Sequence, residues 1–220
     1  RDLHSFPTRR SSDLNAVGYP AGVTTLRPEE PGIKAVYMDS VTRVLAEFAS
    51  SLTFSDLTAS VVHSAAQRLI DSLGCVLGAC DCEPAQIGRR LAQGQAPGKY
   101  AGRVLCFGDR LPAETAVFIN TAMIRNLDFN DRYPGGHPSD CLGALLALAG
   151  ATQVDGKRFL ASMLVVYEVF ARLSDSTKLS RHGWDQGYAI GIATAAGVCN
   201  LMNLPAFRSE ERRVGKECRS

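Results

Sequence analysis

Several features are missing from this sequence, and each absence narrows the reading. No apolar run approaches the ~18 residues that a helix needs to cross a bilayer. The longest, CLGALLALAGA at 141–151, has eleven residues and reads as a buried helix. The first residues show no basic start followed by an apolar core, so no secretory signal is read there. Net charge is nearly absent: 24 Lys and Arg oppose 22 Asp and Glu, leaving +2. That excess gives no electrostatic reason to expect nucleic acid or an anionic membrane as a partner. No HExxH, CxxC or EF-hand pattern occurs, and no strand pattern of useful length. The seven cysteines have irregular spacing, and several sit inside apolar helical patterns, so reduced buried thiols are expected rather than a disulfide framework.

What remains is an ordinary globular composition, with 45% hydrophobic and 21% charged residues in 220. The two ends stand apart. Residues 4–14 read HSFPTRRSSDL, the translation of a DNA string that resembles a common short-read sequencing adaptor. Residues 208–218 read RSEERRVGKEC, the translation of its reverse strand. Segments 1–14 and 208–220 are therefore expected to be adaptor-derived. The first carries three Arg and two Asp, the second four Arg, one Lys and three Glu, so without them the net charge of +2 becomes −1. Residues 15–37, rich in Pro and Gly with no sustained period, read as a linker or translated upstream region. Met38 is the expected natural start, and 38–207 the credible polypeptide.

From Ser40 the pattern is helical almost throughout, and the class is all-α. Val44, Leu45 and Phe48 form a first stripe. Ser55 is expected to cap a long helix with Asp56 in its first turn. Val62, Ala65, Ala66, Leu69, Leu73, Val76 and Leu77 would line its buried face. Pro84 can start a helix that ends in the breakers of 94–102. Residues 104–107 (VLCF) suggest a short extended run, and Pro112 another helix start, with Ala116, Ile119, Asn120 and Met123 on one side. Ser139 is expected to cap the apolar helix that follows. Phe159, Met163, Leu164, Tyr167 and Phe170 mark the next helix, and a Gly/Ala-rich helix is expected from about 185 to 203, where small residues permit close helix approach.

The chemistry concentrates at 126–139, NLDFNDRYPGGHPS. Asp128, Asp131 and His137 fall within ten residues on one loop at a helix start. Pro134, Gly135 and Gly136 let the loop turn back and bring the imidazole toward the carboxylates. Histidine exchanges a proton near neutral pH, and a neighbouring carboxylate can orient it. Ser139 at a helix N-terminus offers a place for an anion. Acid, base and anion site together suit elimination or decarboxylation beside a carboxylate. Two other readings of the same residues stay open: a polar Asx-type loop with a capping serine, and a divalent metal site using Asp128, Asp131 and His137 as hard ligands. Cys75, Cys80 and Cys82 make a weaker metal candidate. His63 reads as a helix-flank residue, Tyr167 and Glu168 as packing and surface residues, and Trp184 as an anchor for the last helix.

LDFND, then RYPGGHPSD, then an Ala/Leu helix resembles the signature of the MmgE/PrpD family. MDSVTRVLAEFASSLTFSDL, IDSLGCVLGA and WDQGYAIGIATAAGVCNLMNL resemble its other N-terminal landmarks, in order, and the likeness covers 38–207. The resemblance implies a lyase without a cofactor or iron–sulfur cluster that acts on a small polycarboxylate. A 2-methylcitrate dehydratase-like hydro-lyase is the leading expectation; a cis-aconitate-type decarboxylase or an epimerase is the alternative. A non-catalytic helical interaction module is the alternative of another class. The family likeness further implies a soluble cytoplasmic homodimer, built from a helical domain and a smaller α+β lid domain that is missing here. It assigns Asp128 and His137 to the catalytic pocket, with Asp131 beside them and Ser139 and Arg132 toward the substrate. Arg132 stands where some members carry a hydroxyl residue. A second pocket histidine is expected at 181–186, where His182 is the candidate and Trp184 and Gln186 are alternative positions. By itself the chain is expected to lack activity and to expose apolar surface. Re-amplifying the source DNA outward across both ends tests the boundaries: the adaptor-like ends should vanish and the frame should continue past Phe207, and a frame that stops at Ser220 refutes the expectation.

Overall fold

The computed structural model describes residues 39–98 and 100–206. The expected segments 1–14, 15–37 and 208–220, and Met38 and Phe207, lie outside them. Among the described residues seven α-helices and one small hairpin follow in order: α1 (Ser40–Ser51), α2 (Ala59–Gly78), α3 (Glu83–Leu91), β1 (Ala101–Arg103), β2 (Arg110–Pro112), α4 (Ala113–Arg125), α5 (Leu142–Thr152), α6 (Gly156–Thr177) and α7 (Gly187–Leu201). The all-α class stands. No helix among the described residues is long and apolar enough to cross a membrane.

Local chemistry sets the boundaries. Asp39 caps α1, its carboxylate accepting from the backbone N–H groups of Val41 and Thr42 at 2.9 and 3.0 Å. The expected cap at Ser55 is not used. Thr53 and Asp56 instead close a capping box on a single 3₁₀ turn, Phe54–Asp56, in which Asp56 accepts the Thr53 N–H at 2.8 Å. Leu57 is extended, and Thr58 becomes the cap of α2. Within α2, Leu77 is exposed rather than buried; Ser72, Cys75 and Val76 take the inner face, because a 3.6-residue period carries Leu77 past the stripe. The extended run expected at 104–107 is also displaced. Ala101–Arg103 and Arg110–Pro112 pair antiparallel, and 104–109 form the turn between them, with Cys106 left-handed (φ 64°). Buried Asn120 on α4 holds that turn, donating to the Arg103 carbonyl at 3.0 Å and accepting the Leu105 N–H at 2.9 Å.

The core lies between α4, α5, α6 and α7, centred on Ile119, Met123, Leu142, Leu145, Met163, Val166 and Phe170. Helix α5 is apolar on most sides because α4, β1, α6 and α7 surround it. Small residues bring the helices into contact. A Cβ at Gly143 would lie 2.2 Å from the Thr121 hydroxyl, and one at Gly197 2.3 Å from a Val166 methyl. Two thiols, Cys141 and Cys199, are buried in this region, and Cys75 is buried on α2; Cys106, by contrast, is exposed on the hairpin turn. Ile70 and Leu77 on α2, with Leu91, Phe118 and Phe129, face outward as exposed apolar side chains.

Asn200 ties the two ends of this helical body together. Its amide donates to the Ala49 and Leu52 carbonyls at the end of α1, at 2.7 and 2.9 Å, and its oxygen accepts from Ser162 at 2.8 Å. Asn200→Ala leaves these buried partners unsatisfied and is expected to lower the unfolding free energy by ~1–3 kcal/mol, read from urea denaturation. An unchanged midpoint would remove Asn200 from this role.

Candidate active site

Helix α4 ends at Arg125, and the chain turns at once, with Asp128 in the left-handed region (φ 56°). The loop then folds back through a two-residue bridge in which Tyr133 and Gly136 exchange backbone hydrogen bonds of 2.8 and 2.9 Å. Tyr133 anchors this bridge to α6. Its ring packs edge-on against Phe170, and its hydroxyl donates to Asp175 at 2.8 Å. Burial, then the Asp175 carboxylate, push that hydroxyl up to about 12. Gly135 and Gly136 have φ of 105° and 149°. At Gly136 the space is also closed, since a Cβ would fall 2.0 Å from the Gln186 side-chain oxygen.

This turn brings His137 back onto the loop's own start. Its Nδ1 lies 2.8 Å from the Asp131 backbone carbonyl. A carbonyl only accepts, so Nδ1 carries the proton and Nε2 of the neutral ring holds the lone pair. Nε2 is 3.8 Å from Asp128 Oδ1. The His137 backbone N–H donates to Gln186 Oε1 at 2.7 Å, which ties the loop to the start of α7.

The three carboxylates of the region have different surroundings. Asp131 has a side chain 7% exposed; it accepts from Arg68 of α2 at 3.0 Å and from the Ser139 N–H at 3.1 Å. The Tyr167 ring lies under the Arg68 guanidinium, and burial followed by Asp131 drives the Tyr167 hydroxyl well above its ordinary range. Asp140 is 6% exposed, accepts from the Asn130 amide at 2.9 Å, and has the Arg125 Nε at 3.8 Å. Burial raises its carboxyl above the usual range, against the lowering pull of Arg125 and Asn130. Asp128 is 71% exposed and hydrogen-bonded to Arg125, which holds its carboxyl below the usual range; the Arg132 charge acts in the same direction.

Asp128, Asp131 and His137 come together on this loop, but the imidazole approaches only the Asp128 carboxylate and meets Asp131 through its backbone carbonyl. Ser139 does not cap α5 or offer an anion site. It sits buried in the 3₁₀ turn Pro138–Cys141, its N–H committed to Asp131 and its hydroxyl accepting from Asn130 at 2.8 Å. Arg132 is exposed. His182 is exposed on the 3₁₀ turn Leu179–His182, and no hydrogen bond or ion pair joins it to the loop among the described residues; Gln186 is the residue of 181–186 that reaches it. Trp184 is exposed and packs edge-on against Tyr188 of α7. The metal readings find no support, because Asp131 is spent on Arg68 and Ser139, and the described residues hold no group of three or more metal-binding side chains. An open cleft of about 630 Å³ between α3 and β2 includes none of these residues.

Four contributors escaped the sequence reading: Arg68, Arg125, Asn130 and Asp140; Gln186 entered it only as an alternative position for the second pocket histidine. Arg125, Asn130 and Asp140 lie in or beside the loop, and their polarity at helix ends was the available signal. Arg68 is 63 residues from Asp131, and no local pattern marks it.

Comparison with known proteins gives a family match and a set of relatives. The MmgE/PrpD N-terminal domain matches residues 43–211. The chain is 29% identical over 170 residues to the 2-methylcitrate dehydratase of Salmonella typhi, covering 68% of this chain and 34% of that protein. It is 28% identical over 179 residues to that of Cupriavidus necator (74% and 36%), and 29% identical over 170 residues to that of Escherichia coli K12 (68% and 34%). The chain spans about a third of the length of these relatives.

The close approach of Gly136 to Gln186 can be tested by a double-mutant cycle. Gly136→Ala is expected to cost ~1–3 kcal/mol from strain and contact with Gln186. In a Gln186→Gly background, which removes both the side-chain oxygen and the Cβ that lies 2.6 Å from the same point, the cost should shrink by at least ~0.5 kcal/mol. Additive penalties would show that the two positions do not press on each other.

Proposed function

The chain belongs to the MmgE/PrpD family, and from that premise we propose that its parent protein is a cofactor-independent hydro-lyase of small polycarboxylates, with 2-methylcitrate as leading substrate. The observation that carries this reading is the hydrogen bond from His137 Nδ1 to the Asp131 carbonyl. It orients the ring and leaves Nε2 as a proton acceptor beside an ionised Asp128. Relatives that match this segment bear the name 2-methylcitrate dehydratase, which favours dehydration over decarboxylation.

In the reaction, Nε2 takes a proton from the carbon next to a substrate carboxylate. The C–H electron pair becomes the new double bond, and the C–O bond breaks. The departing hydroxide leaves as water after receiving a proton, which His137 can return. Asp128 stabilises the imidazolium that forms in between, because an opposite charge within a few ångströms favours the charged ring. Asp131 is the support: its carboxylate is tied to Arg68 and Ser139, so its carbonyl offers the imidazole a fixed anchor. The remainder of the parent protein closes over this surface, and the enzyme works as a cytoplasmic homodimer.

His137→Ala in the parent protein is expected to cut turnover of 2-methylcitrate by ~10²–10⁴-fold, with an unchanged melting temperature as the folding control. Near-normal turnover sinks the assignment of His137. Absence of turnover by the unaltered parent on both 2-methylcitrate and cis-aconitate sinks the lyase reading.

A further inference from the structure

The two partly buried arginines of the candidate site are already paired, whereas exposed Arg132 has no ion pair among the described residues. Arg68 pairs with Asp131, and Arg125 pairs with Asp128 while its Nε edge faces Asp140. A carboxylate arriving at Arg125 meets a cation that is already matched, so it must replace one of its partners. The partners differ in how firmly they are held. Asp140 is buried and gripped by Asn130. Asp128 is largely exposed, at the very start of the loop, and its pairing is a local contact three residues along the chain. Exposed ion pairs of this kind are weak and easily exchanged.

We propose that a substrate carboxylate displaces Asp128 from Arg125, and that the released Asp128 carboxylate pairs with His137 once Nε2 has taken the substrate's proton. The proposal rests on the polycarboxylate reading above and adds the residue that recognises the substrate. Arg125 suits the task because its planar fork can bind a carboxylate through two parallel N–H groups. Asp140 keeps the fork in place when Asp128 leaves, since it faces the guanidinium from the buried side. Asp128 has a short way to travel: Oδ1 is 3.8 Å from Nε2, about 1 Å beyond hydrogen-bond distance. Before the proton transfer Nε2 holds a lone pair and donates nothing to a carboxylate; after it, the N–H can donate to Asp128. Asp128 is a competitor for Arg125 in the free protein and a partner of the protonated His137 ring during the reaction.

The two roles give Asp128 and Arg125 opposite signs in a binding experiment. The probe is tricarballylate, a saturated tricarboxylate with no hydroxyl to lose, titrated calorimetrically into the full-length parent protein. Arg125→Gln should weaken binding by ~10-fold or more, with Arg125→Lys intermediate. Asp128→Asn removes the competitor and should tighten binding ~3–10-fold. Asp175→Asn makes the same change in net charge at the Tyr133 anchor and should leave affinity unchanged. Equal tightening in the two Asp variants would reduce the effect to a general field and overturn the exchange. So would unchanged or weaker binding by Asp128→Asn, or unaltered binding by both Arg125 variants, with thermal melts confirming that each is folded. Failure of the unaltered parent to bind tricarballylate would overturn the polycarboxylate reading itself, and this proposal with it.

Discussion

Much of the site depends on the position of one aspartate. Asp131 uses both its side chain and its backbone. The carboxylate joins Arg68 on α2 to the Ser139 N–H in the turn before α5, two elements that no local sequence contact would bring together. The carbonyl of the same residue receives His137 Nδ1. Because one residue makes all three contacts, the orientation of the imidazole is coupled to the packing of α2 against the loop. Loss of the Asp131 carboxylate would remove a counter-charge from the partly buried Arg68, a costly change, and would release the segment that carries the His137 anchor. The resulting loss of a site would come from loss of a fold contact, so the two roles of Asp131 are not separable by a simple deletion.

Around that hub, burial sorts chemically identical groups. Asp140 and Asp128 both face Arg125, yet their carboxyls move in opposite directions. Desolvation dominates at Asp140 and raises it; the Arg125 hydrogen bond dominates at exposed Asp128 and lowers it. The linkage to stability follows with opposite signs. Asp140 contributes stability below the ordinary carboxyl range, which is lost as pH rises through its raised value. Asp128 contributes above that range, and its part is lost as pH falls through its lowered value. Asp128 lies in solvent, so its share is small.

How much of this was legible in the sequence depended on the range of the interaction. The helices were legible because their apolar residues repeat at helical spacing, as with Ile119 and Met123 or Phe159, Met163 and Phe170. The loop was legible because Asp128, Asp131 and His137 are close in sequence and Gly135–Gly136 announce a reversal. Failures arose where two local rules competed. Ser55 and Thr53 both qualify as caps, and the Thr53–Asp56 box won because it satisfies two N–H groups reciprocally. Ser139 has the residue type of a cap, but Asn130 and Asp131 claim its hydroxyl and its N–H first. What Arg68 and Gln186 touch was illegible for a different reason. Their partners lie 63 and 49 residues away, and only the packed fold sets those distances.

The same sorting bears on which group can move protons in an elimination. Such a step needs a base that is deprotonated at the start and a group able to deliver a proton to the leaving hydroxyl. Asp140 has a raised carboxyl, yet its oxygens are enclosed by Asn130 and Arg125. Tyr133 and Tyr167 are also raised, and the Tyr133 hydroxyl is committed to Asp175, while Tyr167 is buried beside Asp131. None of these presents a proton to an external ligand. Asp128 is accessible, but Arg125 keeps it ionised and makes it a poor donor. His137 alone in this loop combines an accessible nitrogen, a fixed tautomer and a carboxylate positioned to stabilise its protonated form. A single imidazole serving first as base and then as acid would require the proton and the hydroxyl to leave from the same face of the substrate. A second donor carried on the rest of the parent protein would permit departure from opposite faces. The stereochemical course of the proposed elimination therefore reports whether the proton machinery is confined to this helical domain.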